Sequence, residues 1–195
     1  MSSIVGHTAV GAAIYLAGNR SCDRDVHWAL PVLVLLSVLP DVDYILNWGL
    51  HIGLHSRVSH SLVFSLVVSG LAWYCSVAIR RTTPHAPSLQ AILLASLSHP
   101  VLDVLVGVHP LPLFWPLAQW AITSPVGLLP SAGGLSLFNY YLWRNLLIEL
   151  GVLVPVLAAL VSIVRGTNVG AFMYNALVIF PAWLVFLFWS ISLSR

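Results

Sequence analysis

The chain has 195 residues, 59% of them apolar and 7% charged, where an ordinary soluble domain carries about 25% charged residues. Lysine is absent, and eight arginines against six acidic residues give a formal net charge of +2. With a mean hydropathy of +0.94 and no block of like charge, the composition excludes a soluble globular class and leaves nucleic acid no basic surface to bind.

Six hydrophobic segments follow one another, at about 3–18, 26–47, 59–80, 88–107, 138–165 and 168–193. Crossing the hydrocarbon takes roughly 20 apolar residues. The first segment is short and rich in small residues (Gly6, Ala9, Gly11, Ala12, Ala13) and reaches only part of the way. Long apolar runs without alternation exclude a membrane β-barrel. The expected fold is all-α: a polytopic membrane helical bundle of five to six hydrophobic helices, forming a single integral membrane domain over residues 1–195.

Residues 108–137 are uncharged and dense in proline, glycine and tryptophan, including Pro110, Pro112, Trp115, Pro116, Trp120, Pro125 and Pro130. Proline at this density prevents one continuous crossing helix, and tryptophan suits the headgroup level. An interfacial or re-entrant loop is expected there. The N-terminus lacks the basic region of a cleaved signal peptide, so the hydrophobic segments themselves must drive insertion. Cys22 and Cys75 have no metal-type spacing and read as unpaired small apolar residues.

Arginine sets the expected orientation. With six crossings, the loops after the first, third and fifth segments share one side and hold Arg20, Arg24, Arg80, Arg81 and Arg165; the other side holds Arg57, Arg144 and Arg195. The positive-inside rule places the first group in the cytoplasm.

Asp23 and Asp25 fall in a polar loop, but Asp41, Asp43, Asp103 and Glu149 lie in or beside apolar segments. An ionisable side chain at membrane depth costs roughly 2.5–3.5 kcal/mol on insertion scales and needs a compensating partner. Histidines fall in the same neighbourhoods, in four clusters: His7 in Gly6-His7-Thr8-Ala9-Val10-Gly11; Pro40-Asp41-Val42-Asp43; His55-Ser56-Arg57-Val58-Ser59-His60-Ser61; and Ser98-His99-Pro100-Val101-Leu102-Asp103. In an up-and-down bundle all four face the side opposite the arginine-rich loops, which the charge rule makes extracytoplasmic.

His99 and Asp103 are four apart and share a helix face. The paired carboxylates Asp41 and Asp43 would repel unless a cation or a shared proton separates them. Ser59 or Ser61 is placed to cap the third helix. Imidazole and carboxylate without thiolate suit zinc first, with manganese or iron as alternatives. The candidate ligands His7, Asp41, Asp43, His55, His60, His99 and Asp103 outnumber the four of one closed site, so one or two ions are expected.

At these residues the sequence resembles the YdjM-like membrane-bound metal-dependent hydrolases over roughly residues 1–120. That pattern has His-x-x-x-Gly (His7, Gly11), Pro-Asp-x-Asp (Pro40, Asp41, Asp43), His-Arg-Gly-x-Thr-His-Ser (His55, His60, Ser61) and Ser-His-x-x-x-Asp (Ser98, His99, Asp103), followed by a Trp-Pro pair (Trp115, Pro116). The third motif departs from it: Arg57 stands one place late and the glycine is missing.

The resemblance implies metal-dependent hydrolysis in a multi-pass cell-membrane protein. The expected chemistry is attack by a metal-activated water on a phosphoester or lipid-linked substrate, with Asp41 as ligand or general base. Arg57 and Arg144 are the expected substrate-binding cations, and the bilayer is the partner. Divalent-metal transport, or a non-catalytic protein with a structural metal, are the alternative readings.

Overall fold

The computed structural model describes residues 3–19, 28–43, 58–80, 86–106, 110–124, 127–130 and 138–193. Each apolar segment forms one helix: α1 (Ile4–Gly18), α2 (Ala29–Val38), α3 (Leu62–Arg80), α4 (Leu89–Val106), α5 (Tyr140–Arg165) and α6 (Val169–Leu193). Short 3-10 turns at Leu39–Asp41 and Val58–His60 follow α2 and precede α3. No strand occurs among the described residues beyond one antiparallel bridge between Leu111 and Ile122. The helical bundle is the architecture that the run lengths imply.

Helices α3 to α6 each carry an apolar stretch of at least 18 residues, close to the roughly 20 that span the hydrocarbon. With 15 residues, α1 rises only about 22 Å and falls short of a crossing. In the second segment the chain tightens into a 3-10 turn at Leu39–Asp41, where Pro40 supplies no N–H, and helical geometry resumes at Val42 and Asp43. Among the described residues there are four helices long enough to span and two short apolar helices.

The helix ends have local causes. Ser3 caps α1, its hydroxyl accepting from Gly6 N–H at 2.9 Å. Ser61 caps α3 by accepting from Phe64 N–H at 3.1 Å. Asn139 accepts from Tyr141 N–H at the start of α5. Gly166 ends α5 at φ +67, a left-handed conformation that glycine adopts without strain.

The short α1 packs against α2, α4 and α5, while α3 packs on α4 and α6 on α5. One apolar core joins Val10 of α1 to Leu102 and Val106 of α4, Leu129 of the loop, and Val152 and Leu153 of α5. A second joins Leu33 and Leu36 of α2 to Ile92 and Ala95 of α4. Small residues permit the closest approaches. On α3, Ser65, Ser69 and Ser76 are buried, and Ser96 of α4 donates to the Ser65 carbonyl at 3.0 Å. The α6 helix docks by laying Phe186 against Gly151 and donating from Trp183 Nε1 to the Val152 carbonyl, and only Ser190 of it is buried. The rest of its surface is left for lipid.

Helix α5 holds α1 at both ends. The Ser3 N–H, at the start of α1, donates to the fully buried Glu149 carboxylate at 3.0 and 3.3 Å. Arg165 donates to the Leu16 and Asn19 carbonyls at the other end, both at 2.8 Å. The described loop residues 110–124 and 127–130 are fastened to three helix ends. Leu62 N–H donates to the Leu113 carbonyl, Leu128 N–H to the Leu105 carbonyl, and Ser190 Oγ to the Leu128 carbonyl. Phe114, Trp115, Leu117 and Trp120 face outward from it, as an interfacial loop requires.

Gly11 marks the tightest helix crossing. A Cβ there would lie 2.8 Å from Val34 Cα and 2.9 Å from the Leu33 carbonyl, both backbone atoms of α2, whereas a Cβ on Gly70 meets nothing within 4 Å. Gly11→Ala is therefore expected to destabilise the fold by about 1–3 kcal/mol through overpacking. Gly70→Ala should leave stability unchanged or slightly raised. Thermal unfolding of the two variants in one detergent checks the contrast.

Candidate metal centre

Four chain segments deliver the polar cluster to one point. His7 comes from the second turn of α1, Asp41 from the 3-10 turn after α2, His60 from the 3-10 turn before α3, and His99 with Asp103 from one face of α4. All five are buried, the three histidines at 0% exposure and the two aspartates at 3%. The cluster lies at the start of α1, while Arg165 lies at its far end.

Every imidazole Nε2 points at carboxylate oxygen. His60 Nε2 is 3.3 Å from Asp103 Oδ2 and 3.8 Å from Asp41 Oδ1. His99 Nε2 is 3.7 Å from both of those oxygens. His7 Nε2 faces the other oxygen of each carboxylate, 3.6 Å from Asp103 Oδ1 and 4.0 Å from Asp41 Oδ2. His7 stacks on His99 with ring centroids 3.8 Å apart, and His60 meets His99 edge-on at 4.9 Å.

The far side of two rings fixes their tautomers. His99 Nδ1 lies 2.8 Å from the Ser37 carbonyl, which can only accept, so Nδ1 carries a proton and the neutral ring has its lone pair on Nε2. The Ser37 carbonyl is open to this bond because it belongs to the last turn of α2, whose carbonyls lack helical partners. His60 Nδ1 lies 3.1 Å from Ser59 Oγ, which in turn lies 2.5 Å from Asp43 Oδ2. The hydroxyl gives its single proton to the carboxylate and so accepts from His60 Nδ1–H, which places the lone pair of the neutral ring on Nε2.

With His60 and His99 neutral, the lone pairs of their Nε2 atoms face carboxylate oxygens at the centre of the cluster. The Nε2 atoms of His7, His60 and His99 find no hydrogen-bond partner among the described residues, although buried polar atoms are nearly always partnered. Their separations from the carboxylates exceed the roughly 2.7–3.0 Å of a charge-assisted hydrogen bond. They sit at or just above the donor-to-donor spacing of about 3.3–3.4 Å that tetrahedral zinc bonds of about 2.0–2.1 Å impose. The sets His7, Asp41, His99 and His60, His99, Asp103 are each compact enough to hold one ion. The residues fit a divalent cation.

A protein-family model described as YdjM inner membrane protein matches residues 1–191. The chain belongs to the YdjM inner membrane protein family. No curated protein and no solved structure matches it. The family match reaches well past residue 120, taking in α5 and most of α6 as well as the helices that carry the motifs.

Among the residues singled out by sequence, this YdjM family member brings His7, Asp41, His60, His99 and Asp103 together. Asp43 stands on the Nδ1 side of His60, at 3.6 Å, behind the ring rather than on its Nε2 face. His55 and Arg57 lie outside the described residues. Arg144 spends its hydrogen bonds on Asn145, at 2.9 and 3.1 Å, and its guanidinium lies 5.0 Å from the Tyr141 ring centre. Sequence reasoning had no reason to choose Ser37. Its carbonyl orients His99, and its hydroxyl bridges to the His7 carbonyl at 2.9 Å. The one available signal is a polar side chain within an otherwise apolar helix.

The outer hydrogen bonds predict a graded response. His99→Ala with Asp103→Ala removes two donors and is expected to abolish metal binding. Asp43→Asn and Ser59→Ala leave every donor of the central cluster in place and should weaken metal affinity by about 10–100-fold, the usual effect of losing a partner behind a ligating histidine. Competition against a chelator of known affinity, followed by elemental analysis, reads both effects.

Proposed function

We propose that this protein is a membrane-embedded metal-dependent hydrolase acting on a phosphoester, most naturally one carried by a lipid. The observation that carries the reading is the cluster of unpartnered imidazole nitrogens facing two buried carboxylates at one end of a membrane bundle. When bound, a divalent cation there would supply Lewis acidity and lower the pKa of a water to about 7. The chain's own part is to hold His7, His60 and His99 as nitrogen donors, with Asp41 and Asp103 neutralising the added charge. Asp41 has its oxygens turned to three imidazoles, which favours a ligand role for it over that of a free base.

The distribution of arginines supports an extracytoplasmic site. Arg165 is at the far end of α1 from His7, on the side that the positive-inside rule assigns to the cytoplasm. The described loop residues 110–124 and 127–130 bond to the ends of α3, α4 and α6 near the cluster, and Phe114, Trp115, Leu117 and Trp120 are exposed. That placement suits a lipid substrate with its headgroup at the interface. Arg57 and Arg144 remain the candidate headgroup cations.

A structural metal site is the competing reading, and the complete burial of the three histidines favours it. Turnover separates the two. Metal-loaded protein in liposomes is expected to hydrolyse a phospholipid or lipid-linked phosphoester, to lose that activity to a chelator and to regain it with zinc or manganese. Asp41→Asn should lose it permanently. Bound metal with no turnover across phosphoester and lipid panels would select the structural reading, and metal flux into sealed vesicles would select transport.

A further inference from the structure

The two oxygens of each central carboxylate face different imidazoles. Asp41 turns Oδ1 to His60 and His99, at 3.8 and 3.7 Å, and Oδ2 to His7, at 4.0 Å. Asp103 repeats the division, with Oδ2 3.3 Å from His60 and 3.7 Å from His99, and Oδ1 3.6 Å from His7. One residue divided in this way would be an accident of rotamer. Two, contributed by separate chain segments and divided between the same histidines, give His7 one pair of nearest oxygens and His60 with His99 the other, around two carboxylates, and His99 falls within both compact ligand sets. A carboxylate whose oxygens ligate different ions is the usual bridge of a two-metal site, where the ions lie about 3.5–4 Å apart.

We propose that the centre takes two divalent cations bridged by Asp41 and Asp103, one held by His60 and His99 and the other by His7. This rests on the metal-centre reading above and extends it to the number and inequality of the ions. The two positions differ in support. His60 and His99 each have Nδ1 anchored, to Ser59 and to the Ser37 carbonyl, whereas His7 has no hydrogen-bond partner for either ring nitrogen among the described residues. An unanchored imidazole is a weaker and less oriented ligand. The His7 position also has only three donors on the page, His7 and one oxygen from each aspartate, against four on the other side. It is therefore the weaker, exchangeable position, with coordination left over for water or a substrate oxygen.

Manganese titration of the full-length protein in detergent tests this. Equilibrium dialysis with elemental analysis gives the stoichiometry, and low-temperature electron paramagnetic resonance reports whether two ions share a bridge. The wild type is expected to fill in two steps, to two ions per chain, and to replace a six-line mononuclear signal with an exchange-coupled spectrum at the second step. His7→Phe, which keeps an aromatic ring stacked on His99, should bind one ion and retain the six-line signal at saturation. Saturation of the wild type at one ion, or at two ions without coupling, overturns the proposal while leaving a metal centre in place. Loss of all metal from a folded His7→Phe protein does the same. Failure of the wild type to bind any manganese or zinc overturns both this proposal and the hydrolase reading. If His7→Phe does not fold, wild-type stoichiometry and coupling decide alone.

Discussion

Imidazole nitrogens and carboxylate oxygens facing one another in a buried site need positive charge between them, from a proton or a cation. The rest of the polar architecture prepares that point. Ser37 and Ser59 hold a proton of His99 and His60 on the outer nitrogen, so that the inner nitrogen of the neutral ring is open to a cation. Both anchors come from places where the backbone leaves helical geometry. The Ser37 carbonyl is free because α2 stops at Val38, and Ser59 sits in the 3-10 turn before α3. A membrane protein satisfies its backbone inside helices, so spare acceptors occur at helix ends, and the cluster lies where several ends meet.

How much of this is legible in sequence depends on the energetic scale of each feature. The helices are legible because a run of apolar residues is a large, local signal. Five members of the cluster are legible because each ionisable group at membrane depth is separately expensive. The i, i+4 spacing of His99 and Asp103 also gives their shared face directly. The glycine of His-x-x-x-Gly is visible as a motif, but its reason appears only in three dimensions, where Gly11 lets α1 lie against the α2 backbone. Ser37 and Ser59 act through one hydrogen bond or two, and serine is too common in membrane helices to single them out. The position of Asp43 behind His60, rather than on its Nε2 face, was equally hidden, since a Pro-Asp-x-Asp spacing does not say which carboxylate turns inward. In the fold, Asp41 ends the 3-10 turn that contains Pro40 and is buried, and Asp43 is half-buried beside Ser59.

Glu149 shows the same limit from the other direction. Its depth marks it as needing a partner, and Arg144, five residues earlier, is the nearest cation in sequence. The fold pairs Arg144 with Asn145 and places Glu149 at the N-terminus of α1. The Glu149 carboxyl accepts from the Ser3 N–H at the start of α1, and the Arg165 guanidinium donates to the last carbonyls. Helix α5 thus offers α1 an acceptor where its N–H groups lack helical partners and a donor where its carbonyls do.

That clamp explains how a helix too short to span the membrane can carry a ligand. A 15-residue apolar helix has no hydrophobic length that fixes its depth, because it can slide by several ångströms without exposing a charge. His7 must nevertheless meet Asp41 and Asp103 from other segments to within ångströms. Tying the first and last turns of α1 to the 26-residue α5, which is long enough to span, transfers the depth of the long helix to the short one. Gly11 and Ser37 then fix its distance and rotation against α2. Depth, distance and rotation together place the His7 ring flat on His99, and this leaves its Nε2 facing the carboxylate oxygens that His60 and His99 do not use.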